Sequence, residues 1–418
     1  MANSARNTRP ALDAVNFFLA DVRDGLGPYL AIFLLAKQDW NAASIGIVIS
    51  VGAIAGIIAQ TPAGLLIDST RAKRAVIVAA AVLVTGSALL MPLLTSFWWV
   101  AALQTIQGVA ASVFAPAIAA ITLGIVGPRA FAKRLGRNEA FNHGGNAAAA
   151  LIAGALAYSF GPIVVFWLMA AMAIASILST LSIPADAIDH ELARGLADAP
   201  GEDHAEQVSG FRALLASRPL LIFAACTTIF HFANAAMLPL VGQKLALANA
   251  ALGTTLMSVC IVAAQLVMVP VALLVGARAD VWGRKPIFAT ALAVLALRGA
   301  LYPLSDDPYW LVGVQLLDGV GAGIFGALFP LVVADLTRGT GRFNVSQGAV
   351  ATAQGIGASL SNGIAGVIVV AAGYSAAFFF LSAIAAAGLI LFLFAMPETA
   401  ESRKPKVEGP GPMSVPIS

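Results

Sequence analysis

Charge is scarce in this chain of 418 residues: 11% are Asp, Glu, Lys or Arg, against 59% hydrophobic residues. Soluble domains carry roughly 25% charged residues, and a mean hydropathy of +0.88 leaves too little polarity to keep such a surface in water. Soluble enzymes, nucleic-acid-binding proteins and secreted disulfide scaffolds are therefore excluded together. Cysteine is scarcer still. Cys226 and Cys260 lie inside apolar runs with no CxxC or Cys/His spacing, so they read as small buried hydrophobes rather than a disulfide or a metal site. No G-x-x-x-x-G-K-[ST] phosphate loop is present, nor any nucleophile–base or metal-ligand spacing within the apolar runs. No cofactor, no metal, no nucleic-acid partner and no enzymatic activity are expected. A cleavable signal peptide is excluded as well, because the first apolar run contains Asp21, Arg23 and Asp24.

What the chain has is long apolar segments. A membrane-spanning helix needs about 20 predominantly apolar residues, and twelve such runs are present: 12–36, 42–67, 75–96, 98–126, 138–159, 162–183, 216–243, 251–277, 286–304, 309–336, 345–371 and 374–396. Their lengths, and the absence of period-two alternation, predict helices rather than barrel strands. Most links are short, so consecutive helices are antiparallel neighbours. The exception is 184–212, rich in Asp and Glu, which divides the chain into a six-helix lobe (1–183), a linker (184–212), a second six-helix lobe (213–396) and a proline-rich disordered tail (397–418). Most of the 24 Lys and Arg residues fall on the side that carries both termini; Arg71, Lys73, Arg74 and Arg278, Arg284, Lys285 are examples, whereas the opposite loops hold only Lys37 and Lys244. The positive-inside rule places both termini in the cytoplasm. The basic pI then reports topology rather than an acidic ligand.

The two halves also match each other at an offset of 211–212 residues: Pro28 falls on Pro239, Gly64 and Asp68 on Gly276 and Asp280, Gln104 and Gly108 on Gln315 and Gly319, and Gly161 with Phe166 on Gly373 with Phe378. Six helices per copy give both copies the same orientation, so the halves are parallel repeats about an axis along the membrane normal. The segment from Gly276 through Asp280 and Gly283 to Arg284 and Lys285 resembles the signature loop of the major facilitator superfamily. The first copy, from Gly64 through Asp68 to Arg71 and Arg74, is similar but has Arg71 where the family usually has glycine.

That resemblance implies a bacterial inner-membrane secondary transporter, probing a small-molecule substrate and surrounded by lipid, with no cofactor and acting as a monomer. It also implies that helices one, four, seven and ten line a central cavity. The signature loops are expected to latch the lobes through Asp68, Arg71, Arg74, Asp280, Arg284 and Lys285, with Gly64 and Gly276 allowing close helix contact.

Charges within spans cost about 2.5–3.5 kcal/mol each at mid-membrane, so those that persist are informative. Asp21, Asp24 and Pro28 share one stripe of helix one, while Arg23 points elsewhere. On the other cavity helices the polar pairs are Gln104 with Gln107, His231 with Asn234, and Gln315 with Asp318. These nine residues, Asp21 through Asp318, form the candidate substrate and proton site. Arg298 is expected to snorkel to the outer interface near Asp306 and Asp307. Glycines of helices ten and eleven, among them Gly319, Gly323, Gly357 and Gly366, are expected to permit close backbone approach.

Proton-driven drug exporters of the family usually carry an arginine where this chain has Gln104, and a glycine-proline signature in helix five that is missing from 142–157. Proton-coupled efflux of a small organic or cationic solute, with Asp24 foremost as the proton carrier, is the first expectation. Uptake or uniport of an anionic metabolite on Arg23, metal export on Asp21, Asp24 and His231, and a non-transporting membrane sensor are the alternatives.

Overall fold

The computed structural model describes residues 2–24, 26–194, 217–249, 251–337 and 343–400. Among them there is no strand. The amino-terminal group of helices comprises α1 (Ala2–Asp24), α2 (Leu26–Gln38), α3 (Ala42–Ser69), α4 (Lys73–Leu90), α5 (Phe97–Ala111), α6 (Phe114–Phe160) and α7 (Val164–Leu181). The carboxy-terminal group comprises α8 (Arg218–Ala235), α9 (Met237–Ala248), α10 (Gly253–Trp282), α11 (Arg284–Leu301), α12 (Pro308–Thr337) and α13 (Phe343–Ala395). The latter part of the acidic linker and the end of the tail lie outside the described residues.

Helix length alone does not settle the number of crossings. Nine stretches among the described residues are long and apolar enough to span, and the fifty-residue Ser346–Ala395 is over twice the length of one crossing. It turns at Gly373, whose φ of 87° only glycine adopts cheaply; Gly161, its counterpart in the first half, has φ 74°. Helix α6 turns in the same way at Gly127. The expected first span is not among these nine, and it carries Asp13, Asp21, Arg23 and Asp24.

Proline places the breaks. The seventh expected span divides at Ala236, three residues before Pro239. The fourth divides at Ser112 and Val113, just ahead of Pro116. Proline offers no N–H to the carbonyl four residues back and crowds that carbonyl with its ring. At the seventh-span break the backbone N–H of Ala236 is bonded instead by Ser361 Oγ at 3.0 Å. Pro330 interrupts nothing in α12.

Each group has its own apolar core, one around Phe114, Leu12 and Ile121, the other around Phe223, Phe288 and Phe378. The outward surface is apolar too: Ile58, Trp98, Tyr158, Leu266 and Phe394 are exposed, as a lipid-facing belt requires.

The groups meet through α3 on α13, α6 on α10, and α2 on α9. Glycine makes the first contact possible. A Cβ on Gly366 would collide with the Ala42 carbonyl, and one on Gly46 with that of Asn362. Gly363 donates its N–H to Ser50 Oγ at 2.8 Å, Thr255 Oγ1 donates to the Gly154 carbonyl at 2.8 Å, and Tyr29 and Ser258 share a hydrogen bond of 2.7 Å. These contacts gather where α3 begins and where α13 approaches Gly373. At the opposite end of α3, Leu65, Leu66 and Asp68 are exposed. Gly64 and Gly276 have nothing within 4 Å of an added Cβ, which corrects the expectation that they bring helices together. The close approach falls instead on Gly46 and Gly366, at the other end, where the groups touch.

Gly366→Val should therefore wedge the two groups apart, since overpacking of this kind costs about 1–3 kcal/mol. Spin labels at the beginning of α3 and beside Gly373 should report a longer distance in the variant than in the wild type.

Candidate functional site

The expected site residues fall into three places. Asp21 borders a cavity of about 160 Å³ together with Pro28 and Tyr29, Asn146 and Ala150 of α6, Leu238 of α9, and Ile261 and Gln265 of α10. Both helix groups contribute to this wall, and Asp21 is 5% exposed. Asp21 and Pro28 share the wall, as the i, i+7 stripe predicts. The Asp24 side chain lies outside the described residues.

Arg23 lies elsewhere. It borders a cavity of about 340 Å³ with Gln104, Gln107, Gly52, Gly56 and Met169, all from the amino-terminal group. Residues two apart on a helix do not face one another, so the acid and the base of the first span serve different spaces. Gln107 is buried and donates to the Val84 carbonyl at 3.1 Å.

The third place is a polar chain within the carboxy-terminal group. Arg298, 1% exposed, is ion-paired with Asp318. Gln315 donates to the other Asp318 oxygen at 2.9 Å and accepts from the Tyr302 hydroxyl. The expected snorkelling of Arg298 is thereby corrected: α11 turns it inward onto α12, and Asp306 pairs with Lys244 at 2.5 Å. A lone Arg and a lone Asp on consecutive helices were the available signal. At the repeat offset the first half has Ser87 and Gln107 in their stead, so the charged pair belongs to one half only.

His231 joins none of these. Its ring packs edge-on against Phe325 at 4.7 Å, and Nδ1 lies 3.1 Å from the Thr227 carbonyl. Asn234 is half-buried on the same helix. Among the described residues no three His, Cys, Asp or Glu side chains gather as metal ligands.

Asp13 escaped sequence reading. It is buried on α1 and pairs with Arg134 at 2.6 Å and Arg137 at 2.8 Å, while Asn138 joins Arg134 to Thr122. This cluster ties α1 to α6.

Comparison with known proteins decides the family. The Major Facilitator Superfamily matches residues 12–279 and 249–416. The chain belongs to the major facilitator superfamily. Proteins from two strains of Mycobacterium tuberculosis, each named an uncharacterized MFS-type transporter, are 66% identical over 392 residues, covering 94% of this chain and 94% of theirs. The crystal structure of the nucleoside transporter NupG superposes with a TM-score of 0.77 at 16% identity, over 93% of this chain and 98% of NupG; a mutant form gives 0.76. Likeness at that identity speaks for the fold alone. This superfamily member is thus a multi-pass membrane transporter of a small molecule and not an enzyme.

Its two signature loops differ in structure. Gly283 turns the second with φ 84°, whereas the first, with Arg71 in that place, passes through an extended Thr70 without any left-handed residue. Arg284 bridges Asp280 at 2.7 Å and Asp335 at 3.1 Å, inside the carboxy-terminal group. Arg74 donates to the Leu181 and Ile183 carbonyls, and Lys285 offers its N–H to Glu398. Asp68 is exposed and makes no ion pair among the described residues. No described bond crosses between the groups at this end.

Glu398 closes the second loop by accepting the backbone N–H groups of Arg284 at 2.9 Å and Lys285 at 3.1 Å. Partial burial works to raise its carboxyl, but bonds from four backbone N–H groups outweigh that and hold it below the ordinary carboxylate range. A depressed folded-state value gives stability that is full above the unfolded value and is lost as pH falls through the folded one. Glu398→Gln should flatten that acid limb in thermal melts taken across the acidic range, and cost about 1 kcal/mol near neutrality.

Proposed function

We propose that this transporter works by alternating access and exports a small organic or cationic solute in exchange for protons, with Asp21 as the exchanging carboxylate. One observation carries the reading: among the described residues, Asp21 is the charged side chain on the wall of the cavity that both helix groups share. A carboxylate there can hold either a proton or a cationic substrate, but not both, which is the coupling an exchanger needs. Asn146, Gln265 and the Tyr29 hydroxyl supply neutral hydrogen-bonding groups around it and would orient the solute.

The contacts describe one state of the cycle. The groups are joined at the end where α3 begins, which the placement of Lys and Arg assigns to the outside. The ion pairs described at the end bearing the signature loops stay within the carboxy-terminal group, which supports a state open toward the cytoplasm. In the opposite state Asp68 and its basic neighbours would close across the inner ends as the latch. The break at Ala236 would let the outer half-helix α9 pivot as the lobes rock.

A second reading rests on the other cavity. Arg23 with Gln104 and Gln107 is a set suited to a carboxylate or phosphate, and would serve uptake or uniport of an anionic metabolite. Purified protein in liposomes under an imposed pH gradient, offered organic cations, organic acids and nucleosides, separates the two. Cation movement driven by the gradient supports the first reading; saturable anion counterflow abolished by Arg23→Gln supports the second.

A further inference from the structure

We propose that the amino-terminal group carries a binding site for the phosphate headgroup of an anionic phospholipid, at the end of the seam between α4 and α7. A pocket of about 380 Å³ lies there, with Arg71, Arg74 and His190 at its polar side and Val78, Leu181 and Ile188 in its apolar floor.

Three observations converge on a phosphate with a hydrocarbon tail. First, Arg74 is held in place by the Leu181 and Ile183 carbonyls, while Arg71 is exposed beside it, so one guanidinium is fixed and the other is available at the rim. Second, the pocket lies at the start of α4, whose N-cap residue Ala72 makes no side-chain cap. The first-turn N–H groups and the positive end of the helix dipole therefore add to the arginines in favouring an anion. Third, the floor continues as an apolar stripe. Ala75, Val78, Ala79 and Val82 follow helical spacing along α4, and Leu181, Leu178 and Ile174 do so along α7. Val82, Leu178, Leu181 and Ile174 are all exposed, and α4 packs on α7 along this seam.

The stripe selects the occupant. A free phosphate would satisfy the arginines and leave the apolar floor and seam uncovered, whereas a phospholipid satisfies both at once. The clustering of Arg71, Lys73 and Arg74 places the pocket at the cytoplasmic leaflet, where basic pockets between helices take anionic headgroups. The acids of the adjoining segment do not line the pocket. Asp189 is engaged with the backbone N–H groups of Glu191 at 2.9 Å and Leu192 at 3.1 Å, and Asp186 is exposed in the short turn before it.

Native mass spectrometry of the full-length protein, exchanged into mixed micelles of dioleoylphosphatidylglycerol and dioleoylphosphatidylcholine, tests the site. The wild type should retain phosphatidylglycerol in preference to phosphatidylcholine. Arg71→Gln should lower that retention about fivefold, the effect of one surface charge on an anionic lipid. Ala79→Phe, which covers the floor without changing charge, should lower it as well. Both positions are exposed, and unchanged circular dichroism would show that both variants fold. Equal retention of the two lipids by the wild type, or wild-type retention in either variant, would overturn the proposal. So would displacement of phosphatidylglycerol by millimolar inorganic phosphate, which would assign the pocket to a soluble anion.

Discussion

Asp21→Asn is expected to lower pH-gradient-driven transport by about 10- to 100-fold while leaving the protein folded. The factor follows from losing a hydrogen bond to a charged group, worth about 1.5–3 kcal/mol. Asn keeps the shape of the side chain that borders the shared cavity with Tyr29, Asn146 and Gln265, so packing is conserved and only charge and proton exchange are removed. Rates measured in liposomes with an imposed pH gradient, beside substrate counterflow without one, give the check. Loss of the gradient-driven rate with counterflow retained assigns the proton to Asp21. Equal loss of both assigns it to substrate binding. A gradient-driven rate equal to that of the wild type removes Asp21 from the mechanism.

Breaking the ion pair between Arg298 and Asp318 has the largest expected effect on stability. Arg298→Met leaves Asp318 without its cationic partner inside the helix group, where loss of one member of a buried pair costs about 3–5 kcal/mol. Asp318 is partly exposed, with 19% of its side chain accessible, so the lower end of that range is expected. Arg298→Met combined with Asp318→Leu removes the orphaned charge and should recover most of the loss, because a well-packed apolar pair commonly matches a buried ionic one. Thermal unfolding in detergent compares the two. If the double variant is as unstable as the single one, the chain through Gln315 and Tyr302, rather than the charge itself, holds α11 to α12.

Much of the architecture was legible because duplication and lipid leave strong marks. Pro239, which Pro28 matches at the repeat offset, follows a helix break at Ala236. Gly161 and Gly373, read in the sequence only as a repeat match, both turn with positive φ, so the duplication extends to backbone conformation. The stripe of Asp21 and Pro28 was readable from helical spacing alone, and it does border one cavity.

Partner choice was not legible. Arg298 near Asp306 and Asp307 in sequence suggests a local contact, but its orientation depends on how α11 is rotated against α12, which no local pattern specifies. The same holds for His231, which helical spacing pairs with Asn234 but which the fold packs against Phe325. Gly64 and Gly276 were read from a motif, whereas close approach depends on which ends of α3 and α13 touch. Asp13 went unremarked because its partners, Arg134 and Arg137, are more than a hundred residues away.

The central claim is that Asp21 faces a water-filled space between the two helix groups, open to the cytoplasm in this state. Single cysteines at Asn146 and Gln265, on opposite walls of that space, test it most directly; Cys226 and Cys260 are buried, so the background is low. Both new cysteines should react with a membrane-impermeant maleimide presented from the cytoplasmic side, and saturating substrate should slow the reaction. If neither reacts from either side, the space around Asp21 is dry packing and the account is contradicted.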